Sequence, residues 1–258
     1  MRITALLENT TRRDDMATEH GLSLYVETGN HRLLYDMGQT GLFARNAETL
    51  GIDLSRVDIG ILSHGHYDHG GGIPAFLAIN GTAPVYVSRF AFEPHYHGAE
   101  RYIGLDPALR ENPRLRFIDE QAEIAPGLTL YHCSHYERRY PIDSSGLQFE
   151  QDGALLPEDF RHEQYLLAEE GGKRVLFSGC SHKGVQDIVR WFHPDVLVGG
   201  FHFAGLPLDD TLAGYADYLN AFPTTYYTCH CTGLPQFDFM QQRMQRLHYL
   251  SCGQTVTL

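Results

Sequence analysis

The sequence predicts a layered α/β fold, and three observations carry that expectation. Short apolar runs recur at strand length, and glycine- and histidine-rich loops follow several of them. Those loops lead into segments with apolar residues at i, i+3, i+4 and i+7. With 258 residues, 43% of them hydrophobic, the chain is long enough for one large core or two fused halves. Residues 1–258 are expected to form a single domain.

The elements follow in order. GLSLYVETGNHRLLYDMG holds two β-type runs around Gly29 and Asn30, a hairpin signal. Leu42, Phe43, Ala47 and Leu50 share one helix face, which Gly51 stops. Val57 to Leu62 form an apolar strand running into LSHGHYDHGGG, and Pro74 suits the first turn of a helix through Phe76 and Leu77. Residues 89–160 are rich in aromatics, Pro and Gly without a clear period, and are expected to be an insertion of functional loops or a lid.

The second half repeats the strand–loop–helix pattern. KRVLFSGCSHKG precedes Val185, Ile188, Val189 and Phe192. DVLVGGFHF ends at His202, before a helix with Leu212, Tyr215, Ala216 and Leu219 that Asp209 or Asp210 would cap. TTYYTCHCTG ends at His230, before a helix bearing Phe237, Met240, Met244 and Leu247. In layered α/β architectures such strand ends gather on one sheet edge. That would bring His64, His66, Asp68, His69, His182, His202 and His230 within reach of a common centre.

Charge and composition narrow the function classes. A formal net charge of -12 argues against a nucleic-acid partner, because phosphate backbones select basic surfaces. It leaves room for a small anionic substrate, since a bound cation can dominate a pocket. No apolar stretch reaches the roughly 18 residues of a membrane span, and the start of the chain does not read as a signal peptide. Five cysteines, with Cys229 and Cys231 too close for an easy bridge, fit a reducing cytoplasm. A homo-oligomer is compatible with all of this.

Imidazole and carboxylate are ligands suited to zinc, iron or manganese. In HGHYDH, His64 and His66 can reach one ion, while Asp68 and His69, after the chain turns, can reach a second. Gly65 and Gly70-Gly71-Gly72 would let the backbone approach closely. Two ions about 3.5–4 Å apart would hold a bridging water and lower its pKa, or clamp a phosphoryl group.

SHGHYDHGGG resembles the HxHxDH signature of the metallo-β-lactamase superfamily, and the resemblance covers nearly the whole chain. It implies an αβ/βα four-layer sandwich, two mixed β-sheets flanked by helices, with a dinuclear metal site, zinc first and iron or manganese as alternatives. EHGLSLYVE, LLYDMGQTGLF, VLFSGCSHKG, VLVGGFHF and HCTG further resemble the 7,8-dihydropterin-6-methyl-4-(β-D-ribofuranosyl)aminobenzene-5'-phosphate synthase branch. By this resemblance His64 and His66 match the first-metal pair, Asp68 and His69 the second-metal pair, and His230 the last second-metal ligand. Asp36 matches a residue that orients a ligand imidazole.

The chain departs from the superfamily pattern at two places. Where a third first-metal histidine is expected, LPEDFRHEQ offers Asp159, His162 or Glu158. The usual Gly-Asp reads Gly179-Cys180, with His182 two residues on. His182 is expected to complete the first metal, and Cys180 and Asp159 are weaker ligand candidates. His202, His20 and Lys183 are candidate substrate contacts, as are Arg138 and Arg139 for a phosphate. His95 and His97 are expected in a solvated loop.

These residues describe a metal-dependent enzyme with His64, His66 and Asp68 at its chemical centre, acting on a small phosphorylated, pterin-like molecule. Two rivals stand beside that reading. One is a general metal-dependent hydrolase of phosphodiesters or lactones, and the other is a non-hydrolytic metal-binding or redox protein.

Overall fold

The computed structural model describes residues 1–141 and 143–258, which fall into two compact units. The first comprises Met1–Asp119, Ser144–Gln164 and Ser251–Leu258, and the second Glu120–Asp143 and Tyr165–Leu250.

The first unit is built on a seven-stranded mixed sheet. Its order is Thr255–Thr257, Arg2–Leu7, Ser23–Glu27, Arg32–Tyr35, Ile59–Ile61, Val85–Ser88 and Leu115–Ile118. The expected hairpin pairs Leu24 with Tyr35 and Glu27 with Arg32 across the Gly29-Asn30 turn. Pairing becomes parallel from Arg32–Tyr35 onward, so the later strands share a direction. The helices Leu42–Thr49 and Ile73–Ile79 place Phe43, Ala47, Ile73 and Phe76 in one buried cluster with Leu34, Leu62 and Val85. Pro74 sits in the first turn, where its missing N–H costs nothing.

Residues 89–160, expected as loop, carry strands. His95–His97 pairs with Leu147–Gln151, and a four-stranded sheet runs Ala154–Pro157, Leu147–Gln151, His95–His97, Arg101–Tyr102. The strands are two to five residues long, too short to print a period-two pattern on the sequence.

The second unit holds another seven-stranded mixed sheet. Its order is Leu247–Tyr249, Thr225–Thr228, Val196–Gly199, Lys173–Ser178, Tyr165–Glu170, Leu128–Tyr131 and Gln121–Ala125. The helix Val185–Phe192 buries the stripe Val185, Ile188, Val189 and Phe192 read from the sequence. Asp209 caps Asp210–Asn220 by accepting the Thr211 and Leu212 N–H groups. The third helix is shorter than its apolar spacing suggested. It spans Leu234–Gln241, so Met244 lies beyond its end and Leu247 opens the edge strand. Both remain buried, which is why helical spacing and strand packing were indistinguishable there.

The glycines of LSHGHYDHGGG serve close backbone packing. A Cβ at Gly65 would lie 2.2 Å from the Ala91 carbonyl oxygen, and one at Gly72 would lie 2.0 Å from that of Met37. Gly72→Ala is therefore expected to cost about 2–3 kcal/mol by overpacking. Urea unfolding measures it, and a loss below about 0.5 kcal/mol would contradict this packing. Ile188→Ala, in the second unit's core, is expected to cost about 2–5 kcal/mol in the same assay.

Candidate metal centre

In the first unit, the strand Ile59–Ile61 delivers Ser63 and His64, and a short helix, Tyr67–Gly70, carries Asp68 and His69 with His66 as its N-cap. His64, His66, Asp68 and His69 are all buried. The His64 ring centroid lies 4.6 Å from that of His66 and 4.1 Å from that of His69.

Asp36 organises this group from the end of the neighbouring parallel strand, in a left-handed backbone conformation (φ 59°). Its Oδ1 accepts the Ser63 N–H at 2.7 Å, and its Oδ2 accepts the Ser63 hydroxyl at 2.7 Å and His69 Nδ1–H at 2.7 Å. Because the Ser63 hydroxyl donates to Asp36, its oxygen accepts from His64 Nδ1–H at 2.8 Å. Both imidazoles thus carry their proton on Nδ1, and Nε2 is the lone-pair nitrogen. That is the tautomer a metal ligand requires, fixed as carboxylate partners fix it in metal sites. The donor set fits a divalent cation. His20 Nε2 lies 3.2 Å from Asp68 Oδ2 at the exposed margin.

A second group in this unit joins His66 and two candidates of LPEDFRHEQ, Glu158 and His162, to His95, which was expected in a solvated loop. His66, His95, Glu158 and His162 are buried, and each offers a ligand atom, all within 4.8 Å of one another. Gly65 N–H donates to His162 Nδ1 at 2.8 Å, and His95 Nδ1 meets Glu158 Oε1. Burial, then the neighbouring His162 and His95, holds His66 well below the usual imidazole pKa and therefore neutral. Burial alone would push the Glu158 carboxyl up, but His162 and His95 outweigh it and hold it far below the usual carboxylate range.

In the second unit, Lys173–Ser178, Val196–Gly199 and Thr225–Thr228 are hydrogen-bonded parallel neighbours, so their C-terminal ends share one edge. That edge carries Cys180, His182, His202 and His230. The His182 and His202 ring centroids are 4.3 Å apart. Ser181, His202 and His230 adopt left-handed backbone conformations (φ 59°, 55° and 49°), the kind of strain that clusters where loops present functional groups. Cys180, His230 and Cys231 place ligand atoms within 4.8 Å of one another. Cys231 Sγ also accepts the His202 N–H at 3.3 Å.

Three expectations need correction. Asp159 is exposed and accepts the Arg161 N–H at 2.8 Å, whereas Glu158 and His162 of the same segment are buried. Lys183 is buried, donates to the His132 carbonyl and lies over the Tyr165 ring, so it is not presented to a substrate. His95 is fully buried on a strand, while His97, two residues on along the same face, is exposed at the end of that three-residue strand. The available signal was the x-His-x-His alternation in EPHYHG, too brief to weigh against a loop.

A family model for the metallo-β-lactamase superfamily matches residues 18–204. The chain is 30% identical over 251 residues to MJ0448, an uncharacterized protein of Methanocaldococcus jannaschii, covering 93% of this chain and 94% of that one. It is 23% identical over 270 residues to the 7,8-dihydropterin-6-methyl-4-(β-D-ribofuranosyl)-aminobenzene-5'-phosphate synthase of the same organism, covering 93% and 90%. Among solved structures it is similar to Tm1679, described as a metal-dependent hydrolase of the β-lactamase superfamily. There the TM-score is 0.84 and the identity 28%, covering 100% of this chain and 99% of that one. Zinc-bound PqqB from Methylobacterium extorquens shares the fold, at TM-score 0.57 and 12% identity over the full length of both chains. The match to the family model over most of the sequence, joined to the HGHYDH geometry, places this chain in the metallo-β-lactamase superfamily.

Proposed function

We propose that the chain is a divalent-metal-dependent enzyme acting on a small phosphorylated, pterin-like molecule, with zinc as the first choice of metal. The observation that carries the metal dependence is the Asp36–Ser63 network, which presents His64 and His69 in ligating form. His64, His66, Asp68 and His69 are the proposed ligands of the first unit, and His182 and His230 those of the second. When bound, the metal supplies Lewis-acid polarisation of a phosphate or carbonyl oxygen. His20, beside Asp68 at the exposed margin, is placed to hold or move a proton near the substrate. The pterin-like substrate is supported by the 23% identity to the synthase.

Tm1679 supports a second reading, a general hydrolase. The two separate in one assay of the zinc-loaded protein. In the synthase reading, a dihydropterin carrying a 6-CH2–O–diphosphate joins ribofuranosylaminobenzene 5'-phosphate: the C–O bond breaks, the nucleophile bonds to the methylene carbon, and diphosphate and a proton are released. Broad turnover of phosphodiesters or lactones without that product would overturn the synthase reading in favour of hydrolysis.

Removal of metal by a chelator is expected to abolish turnover, and zinc to restore it; full activity after verified stripping sinks the metal reading. Asp36→Asn keeps the shape but loses the carboxylate charge and weakens the Nδ1 hydrogen bond. It is expected to weaken zinc affinity about 10–100-fold, as such outer partners do. Chelator competition measures this, and an affinity within twofold of the unaltered protein would show that Asp36 does not tune the ligands.

A further inference from the structure

Beyond the HGHYDH segment, the first unit buries three more ionisable side chains beside His66, and their hydrogen bonds assign the protons. Gly65 N–H donates to His162 Nδ1 at 2.8 Å, so the neutral ring carries its proton on Nε2, which lies 3.5 Å from Glu158 Oε2. His95 Nδ1 lies against Glu158 Oε1. A carboxylate can only accept, so His95 Nδ1 carries the proton and Nε2 the lone pair. That Nε2 is buried and has no hydrogen-bond partner among the described residues.

The geometry points to His95 as a further ligand of the cation held by His66, kept in ligating form by Glu158. This rests on the proposal that His66 binds metal. Three features support it. The ligand atoms of His66, His95, Glu158 and His162 lie within 4.8 Å of one another. The His66 and His95 rings stand 5.6 Å apart at 84°, an edge-on arrangement open to a shared cation. Glu158 on His95 Nδ1 repeats what Asp36 does on His69 Nδ1, the carboxylate–histidine arrangement of metal sites. The imidazole donors suit zinc, iron or manganese.

Binding moves no proton: His95 and His66 ligate as neutral rings, and the His95–Glu158 hydrogen bond persists. The rival is a purely structural cluster in which Glu158 joins two histidines and no cation touches His95.

Crystals of the unaltered full chain grown with zinc and measured at the zinc edge decide between them. The expected result is an anomalous peak about 2.0–2.1 Å from His95 Nε2. A peak at His66 that leaves His95 Nε2 beyond coordination distance overturns the role of His95 alone. No zinc at His66 overturns the underlying metal reading as well. In solution, His95→Ala and Glu158→Gln are each expected to weaken zinc affinity about 10–100-fold in chelator competition. The Co2+-loaded His95→Ala protein should also show an altered visible spectrum. Circular dichroism of the metal-free proteins checks folding. Folded variants with affinity within twofold of the unaltered protein and an unchanged spectrum overturn the proposal.

Discussion

A buried carboxylate persists only where donors meet its lone pairs, and Asp36 meets that condition with donors from Ser63, just before HGHYDH, and His69 at its end. Its position follows from the parallel register of Arg32–Tyr35 and Ile59–Ile61, which ends two strands side by side. The same hydrogen bonds that satisfy Asp36 also fix the tautomers of His64 and His69. Stability and chemistry therefore converge on one group. Replacing Asp36 by an apolar residue would strand the Ser63 N–H, the Ser63 hydroxyl and the His69 Nδ1–H in a dry interior. This explains why a costly buried charge is retained.

Much of the fold was legible because its signals are long or repeated. The Val185–Phe192 stripe, the Asp209 cap and the hairpin at Gly29-Asn30 each combine periodicity with a terminating residue, and the structure reproduces them. The HGHYDH group was legible because its members are adjacent in sequence. Glu158 and His162 were visible only as candidates beside Asp159, since burial within one turn of chain is decided by distant packing. His95 was misread because a three-residue strand leaves almost no trace in the pattern. Lys183 was misread because nothing in the sequence shows that His132 would offer its carbonyl to the ammonium.

The second unit shows a related economy. Three parallel strands each end in a loop with a histidine, and Ser181, His202 and His230 bend through backbone conformations that L-residues seldom adopt. Packing elsewhere must hold those loops. Gly199 is one place where it does: a Cβ there would sit 1.6 Å from the Ser178 carbonyl oxygen. Ser181 adds a hydroxyl bond to the Gly200 carbonyl at 2.7 Å, tying one histidine-bearing loop to the next.

The burial of His95 and Glu158 beside His66 bears on how this scaffold can diversify. Surface insertions usually act as exchangeable modules, free to be swapped between relatives while the chemical core stays put. Here the stretch holding the short strands feeds its own side chains into the interior, and Gly65 is wedged against Ala91 while its N–H grips His162. Grafting a foreign insertion in place of this stretch would therefore remove buried side chains of the interior along with the surface it carries.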